Sequence, residues 1–528
     1  MVTKTTVTGA EKLSEQISTS DVIPTLQQDG NSAAGPTLHN LKRNTARGAA
    51  VSFLRQGANF TLRTGSMVIL ARLLSPADFG LVGMVTACTG LLGLFREAGL
   101  SHATVQRATI TRELTSMLFW INLGVGVLLA AFCAAIAPLI AAFYHEPRLV
   151  WVTIVIGIGF VFSGAQAQHG AMLQRNMRFT TLAIIDIISL LVGTGLGIGM
   201  AVAGQGYWAL VATTLCPPVV SFLGVWVAGG WIPGLPRRRT GVRSMVRYGG
   251  SLTLNWVICY VAYNADKVLL GRFLGAEALG IYGRAYTIVN LPSYNLSSIV
   301  HLVGFPALSR LQNDPERLKS YFLKGYNLFL TLVMPIAMAC VLFGDDIIHV
   351  FLGPRWGAVV PVFRLLVPTT LVMAMIEPFN CLLMATSRMR RILKMTLVIA
   401  PVLILGYAAG LPYGPTGVAA GFSIASMILV VPIIVWSTHG TPITALDTLG
   451  TAMRPLIAML IAAGAVLACW NFVHLVTTPL LRLIVANGIL FGVYVAVLWI
   501  FMDQKAVYLG LLREIGVWPF ARGRTPNR

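Results

Sequence analysis

Charge is scarce in this sequence. Only 11% of its 528 residues are charged and just 19 are acidic, whereas an ordinary soluble domain is about 25% charged. A chain that is also 56% hydrophobic, with a mean hydropathy of +0.75, cannot cover itself with a water-compatible surface and is read as membrane-embedded. Cysteine is sparse too. Cys88, Cys133, Cys216, Cys259, Cys340, Cys381 and Cys469 fall singly inside apolar runs, which excludes a disulfide framework or a zinc-type spacing and leaves them as small packing residues. The eight histidines are scattered, with no metal-ligand spacing. Long polar insertions are missing as well. The longest loop expected on the outer side, near 345–358, is too short to hold a donor and an acceptor, so no enzyme is expected.

What the sequence does have is apolar runs of roughly 20 residues, the length that crosses about 30 Å of hydrocarbon as helix. They fall near 49–70, 79–100, 116–143, 150–171, 179–203, 206–229, 246–271, 278–304, 321–344, 359–385, 392–411, 416–437, 453–474 and 480–502. The fold expected is therefore all-α and integral to the membrane, with about fourteen transmembrane helices. Residues 1–48, rich in Ser, Thr and Gln near their start, are expected to be a disordered cytoplasmic tail with no cleavable signal peptide. Residues 503–528 are a basic cytoplasmic tail in which Leu511, Leu512, Ile515 and Trp518 suit a short interfacial helix.

One stretch is written twice. ARLLSPADFGLVG at 71–83 returns as GRFLGAEALGIYG at 271–283, with Arg72, Leu74, Gly80 and Gly83 matched by Arg272, Leu274, Gly280 and Gly283. Each copy sits at the turn between the first and second span of a six-span block. Ser75-Pro76-Ala77-Asp78 has the form of a helix start, with Ser as N-cap, Pro at the first helical position and an acid near the positive end of the helix dipole. Weaker echoes follow in order: ATVQR at 103 with PALSR at 306, LIAAFYHEPR at 139 with IIHVFLGPRW at 347, and QGYWAL at 205 with TGVAAG at 416. Six spans are an even number, so a duplicated block re-enters the membrane in the same orientation. The expected organisation is an N-terminal lobe at 49–229, a cytoplasmic interlobe loop at 230–245, a parallel C-terminal lobe at 246–437 and two further spans within 453–502. Parallel repeats about an axis along the membrane normal are a transporter architecture.

Lysine and arginine orient the chain. With the amino terminus in the cytoplasm, 28 of the 39 basic residues fall on the inner side and five on the outer side: Arg72, Arg148, Arg272, Arg355 and Arg482. Under the positive-inside rule both termini are cytoplasmic. The same bias accounts for the net charge of +20, so PRRRTGVRSMVR at 236–247 needs no nucleic-acid partner and is expected to rest on anionic headgroups.

Inside the spans, polarity is expensive and informative. An ionised side chain at a helix centre costs about 2.5 to 3.5 kcal/mol on insertion scales, so it turns toward a cavity or a partner. Ser52, Arg55, Asn59, Arg63 and Ser66 stack on one face of the first span, and Thr86, Thr89, Gly93 and Arg96 on one face of the second, with Glu97 beside them. The eighth span carries Arg284 and a deeper stripe of Asn290, Tyr294, Ser297 and His301. Six basic residues (Arg55, Arg63, Arg96, Lys267, Arg284 and Arg364) outnumber the acids Glu97, Asp186, Asp266 and Glu377. That excess points to an anionic ligand, and arginine forks suit phosphate. Arg96 and Glu97 also suit a local pair, Arg284 a neutralising Asp266, while Asp186, Arg364 and Glu377 show no partner in the sequence. Trp208, Trp256, Tyr260, Tyr263, Tyr282, Tyr286 and Tyr294 suit either sugar stacking or interfacial anchoring.

LARLLSPADFG, FREAGLSHATVQR at 95–107 and YNADKVLLGRFLGAEALGIYGRAY at 263–286 resemble the Wzx-type oligosaccharide flippases over roughly residues 45–440. That family shares the MOP superfamily with the lipid II flippase MurJ and the MATE exporters. The resemblance implies two six-helix lobes around a cationic cavity in the inner membrane, and transfer of undecaprenyl-pyrophosphate-linked glycan, an O-antigen, capsule or exopolysaccharide unit, to the outer leaflet. It makes Arg55, Arg63, Arg96 and Arg284 substrate-binding candidates, with Asn59 on the same face as the first two. Lys267 departs from the neutral residue usual after the Asp of that motif. Asp186, Asp266, Lys267 and Glu377 are candidates for ion coupling or gating, Na⁺ and H⁺ being the candidate ions; no cofactor, metal or catalytic residue is expected. A polysaccharide polymerase and glycosyltransferases are candidate partners. The alternative is a MATE-like exporter of small molecules or cations, which would want acids rather than arginines to dominate its cavity.

Overall fold

The computed structural model describes residues 38–96, 104, 111–235, 243–475 and 478–500. Every extended element among them is helical. Ten segments of the described residues are long and apolar enough to cross a membrane, and one of them, 389–438, holds two helices. The chain is a multi-pass membrane protein. It separates into two compact units, Met1–Val257 and Ile258–Arg528.

The first unit is built from α1 (Leu38–Leu73), α2 (Pro76–Arg96), α3 (Arg112–Tyr144), α4 (Leu149–Arg175), α5 (Phe179–Val202) and α6 (Trp208–Gly229). α1 packs on α5, α3 on α4, and α6 on both α4 and α5. The turn after α1 behaves as its residues dictate. The Ser75 hydroxyl donates to Asp78 Oδ2 at 2.6 Å, the Ser75 amide donates to the same oxygen at 3.0 Å, and the Asp78 amide returns a bond to Ser75 Oγ at 3.3 Å. This reciprocal cap satisfies otherwise orphaned amides and lets Pro76 open α2.

Segment 231–235, the start of the expected interlobe loop, is tied to its own unit. Trp120 Nε1 donates to Gly234 O at 2.8 Å, the Gly234 amide donates to Ser116 Oγ at 3.0 Å, and His169 Nε2 lies 3.1 Å from Trp231 O. Phe119 and Trp226 pack around His169, the latter stacked at 4.6 Å between centroids. The remainder of the basic loop, 236–242, lies outside the described residues, as do the segment from Glu97 to Ala103 and the tails at 1–37 and 501–528.

The second unit holds most of α7 (Arg243–Ile299), then α8 (Phe305–Arg310), α9 (Pro315–Leu342), α10 (Gly344–Phe351), α11 (Val359–Ala385), α12 (Met389–Gly410), α13 (Gly414–Thr438), α14 (Ala445–Ala468), α15 (Trp470–His474) and α16 (Pro479–Ile500). The expected spans at 246–271 and 278–304 are two arms of α7, broken at Gly275 with φ 83° and ψ −176°. Glycine alone adopts that conformation without strain. Gly275 is the counterpart of Ser75 in the sequence repeat, so both copies interrupt their helices at the same place. A π-helical turn, Val300–Gly304, follows the second arm.

Two sequence expectations are corrected here. Residues 345–358 are not an open loop: α10 and a 3₁₀ turn at Pro354–Trp356 fill them, with Asp345 and Asp346 in the first turn of α10. The thirteenth span starts at Ala445 rather than 453 and ends at Ala468 rather than 474. Its signal was present but polar: Thr444 and Asp447 form a capping box three residues apart, ahead of the apolar run. The last two long helices join the core of the second unit. α14 and α16 pack against α9, and Met459, Ala462, Leu490 and Tyr494 share one core with Phe322, Tyr326 and Phe379.

Candidate functional site

In the first unit, α1 presents the polar face read from its spacing, and α5 supplies the partner that the sequence did not show. Arg55 Nη1 donates to Asp186 Oδ2 at 2.8 Å. Arg63, two turns further along α1, is exposed and acts on the same carboxylate through its charge. Asn59 lies between them, and its Oδ1 is buried without a hydrogen-bond donor among the described residues. Asp186 is thus not a lone charge. A substrate-binding candidate and an ion-coupling candidate form one cluster, because α5 packs along α1 at that level.

The second span behaves differently. Thr86 and Thr89 donate their hydroxyls to Gly83 O and Val85 O of their own helix, at 3.1 and 2.9 Å. Each hydroxyl is thereby satisfied within α2, the usual local solution for threonine in a membrane helix. The side chain of Arg96 lies outside the described residues.

In the second unit, Asp266 is fully buried. Tyr282 Oη donates to its Oδ2 at 2.8 Å and the Lys267 amide to its Oδ1 at 2.7 Å, so the two arms of α7 meet across Gly275 at this carboxylate. The Lys267 ammonium donates to Asn264 Oδ1 at 2.7 Å and lies 4.7 Å from the centroid of the Tyr286 ring. Tyr282 is buried and stacks on Tyr286, which in turn stacks on Phe422. Tyr282 is therefore a packed hydrogen-bond donor, with no face free for a sugar. Arg284, next along the same arm, is half-buried. The side chains of Trp256 and Tyr294 lie outside the described residues.

The remaining intramembrane charges also find partners that sequence spacing did not reveal. Glu377 Oε1 lies 2.7 Å from His301 Nε2, and Asn380 Nδ2 donates to Glu377 Oε2 at 3.2 Å. His301 sits in the π-helical turn, a local widening that shifts the register of the side chains it carries. Arg364 donates to Asp345 Oδ2 at 2.6 Å, and Arg482 forks onto Asp346. These two pairs tie α11 and α16 to the first turn of α10. No group of three or more potential metal ligands occurs among the described residues.

The chemistry of these clusters separates by unit. The α1–α5 cluster has two arginines for one acid and is half-exposed, so it retains capacity for an anion. The Asp266 cluster is internally satisfied and buried, which suits a structural or charge-switching role.

Known proteins agree with the fold and with the sequence resemblance. A family model described as "Polysaccharide biosynthesis protein" matches residues 69–361. The lipopolysaccharide biosynthesis protein WzxC of Escherichia coli is 25% identical over 399 residues, covering 74% of this chain and 80% of the relative. The teichuronic acid biosynthesis protein TuaB of Bacillus subtilis is 29% identical over 297 residues, covering 55% and 61%. Among solved structures, the inward closed lipid II flippase MurJ superposes with a TM-score of 0.66 at 13% identity, over 89% of this chain and 99% of that one. An inward-facing MATE transporter of the MOP superfamily gives 0.56 at 15% identity, over 71% and 93%. Spanning more than half of the sequence, the family match identifies this chain as a member of the polysaccharide biosynthesis protein family, with a fold like those of the two solved structures.

Proposed function

We propose that this protein is a flippase, a transporter rather than an enzyme, that moves undecaprenyl-pyrophosphate-linked oligosaccharide from the inner to the outer leaflet of the cytoplasmic membrane by alternating access. The observation that carries this reading is the arginine excess on α1: Arg55 pairs with Asp186 at 2.8 Å, while Arg63 lies on the same helical face with its side chain exposed. A surplus of guanidinium groups in a low-dielectric setting suits a pyrophosphate, whose oxygens accept their paired donors. Relatives named for lipopolysaccharide and teichuronic acid biosynthesis supply the glycan half of the substrate. The family resemblance makes Arg96 and Arg284 further anion-binding candidates, and the positive-inside rule is the reason for proposing that both termini are cytoplasmic.

Direction follows from charge. Each negative charge carried outward against an interior-negative potential gains about 2.3 kcal/mol per 100 mV, so the potential itself favours export. Asp266, Lys267 and Glu377 are proposed as the groups through which a Na⁺ or H⁺ gradient would add to that drive.

The test is reconstitution. In proteoliposomes holding a short undecaprenyl-pyrophosphate oligosaccharide with a terminal galactose, external galactose oxidase should reach more than the half of the pool that is outward-facing at the start. Oxidation stopping at the protein-free level, together with efflux of a small organic cation from the same vesicles, would replace this reading with the MATE-like one.

A further inference from the structure

We infer that Asp186 is a built-in stand-in for the substrate's anion: its carboxylate occupies Arg55, and a pyrophosphate must displace it to bind. The inference rests on the proposed function, because it assumes that the α1 arginines receive an anion. It assigns Asp186 a positioning role, setting which anions the arginines accept.

The pair is built for displacement. Arg55 and Asp186 meet through one hydrogen bond, Nη1 to Oδ2 at 2.8 Å, and Asp186 Oδ1 takes no hydrogen bond from a described residue. Their side chains are 36% and 38% exposed. The Arg482–Asp346 pair shows the opposite design, with two bonds from the guanidinium and exposures of 21% and 10%. A single-point, half-exposed pair yields to a ligand that offers more oxygens and more charge, whereas a forked buried pair does not. The main chain of Asp186 is fixed meanwhile, since Ser189 Oγ bonds its carbonyl at 2.8 Å and the residue sits inside α5. Only the side chain has to move.

Selectivity follows from this competition. A singly charged carboxylate or halide exchanges one anion for another on Arg55 and gains little. A pyrophosphate spans the Arg55 fork and brings further charge to Arg63, which Asp186 reaches only through space. When the substrate leaves, Asp186 recaptures Arg55, so the same carboxylate that resists binding assists release. Its removal should tighten anion binding and slow turnover, which is opposite to the effect of removing a ligand.

Purified full-length protein titrated with inorganic pyrophosphate by calorimetry provides the test. Asp186→Asn should bind pyrophosphate about tenfold more tightly than wild type, the scale of one charge-assisted contact. Asp186→Glu, which keeps the competitor, should stay near wild type, Arg55→Ala should weaken binding, and acetate should give no heat with wild type but a measurable heat with Asp186→Asn, whose arginine no longer holds a competing carboxylate. Pyrophosphate affinity unchanged or weakened in Asp186→Asn, with Arg55→Ala still defective, overturns the stand-in and leaves the anion site intact. Binding indifferent to both Arg55→Ala and Arg63→Ala, or absent throughout, overturns the anion site and the stand-in together. Should the Asn variant not fold, wild-type protein labelled with carboxyl-¹³C aspartate gives the same decision by infrared difference spectroscopy. Added pyrophosphate should shift an aspartate carboxylate band, and an unmoved band sinks the proposal.

Discussion

Arg63 and Tyr282 illustrate two fates for a polar side chain in a membrane protein. Arg63 is exposed on α1, and we propose that it faces an aqueous or ligand-filled space, because a cation facing lipid would be unfavourable. Arg63→Ala is expected to abolish export of the lipid-linked glycan while leaving the protein in the membrane. Arg63→Lys should keep part of the activity, because the charge survives and the planar fork does not. Radiolabelled glycan accessible on the outer leaflet, read beside an immunoblot of membranes, measures both. Tyr282, by contrast, is consumed by the fold. It supplies one of two hydrogen bonds to the fully buried Asp266, and Tyr282→Phe leaves that oxygen short of a donor. The expected loss is about 1 to 3 kcal/mol of stability, seen as a lower thermal midpoint in detergent. The α1 face was legible in the sequence because five residues kept one helical spacing. The partners Asp186, His301 and Asp345 were not, since each stands 19 or more positions away on another helix and no local pattern encodes which helices touch.

At the scale of elements, close approach of small residues decides what can be changed. α12 and α13 touch along Gly406, Gly410, Gly417 and Gly421, where a Cβ on Gly421 would strike the carbonyl oxygen of Gly406. Without a hydrophobic force between helices in lipid, such backbone contacts supply much of the association. Gly421→Val should therefore cost at least the about 1 to 3 kcal/mol of stability typical of overpacking, read as a lower thermal midpoint. Gly488→Ala on α16, where nothing lies within 4 Å, should be neutral in the same assay. The start of α14 offers a second measurement. Thr444→Ala removes one side of the capping box and should cost about 1 kcal/mol, again read as the unfolding midpoint.

Across the whole molecule, the distribution of basic residues sets an orientation that labelling can decide. Position 240 and both termini should be shielded from an impermeant thiol reagent in intact cells, and positions 273 and 355 should react, each tested as a single cysteine in a background lacking the seven native ones. Labelling of position 240 from outside would reverse the topology. Two ion pairs at helix ends join residues expected on one side of the membrane, as they would in either orientation. Lys319 meets Asp447 at 2.6 Å on the side expected to be cytoplasmic, and Arg482 meets Asp346 on the side expected to be external. Charged partners placed by sequence on the same side of the membrane do come together.

The sequence by itself determined the environment, the helices and the repeat. Apolar run length, caps such as Ser75-Asp78 and the glycine at 275 are local properties, and of the two backbone solutions a bilayer allows, helix and closed barrel, continuous apolar runs of about 20 residues suit the helix. Only the tertiary structure decided which charges neutralise one another, that α10 fills what looked like an outer loop, and that α14 and α16 join the core of the second unit. Those outcomes depend on which helices lie side by side. Membrane helices are so alike in composition that their pairing is set by small-residue contacts and single polar partners, dispersed through the chain and recognisable only once folded.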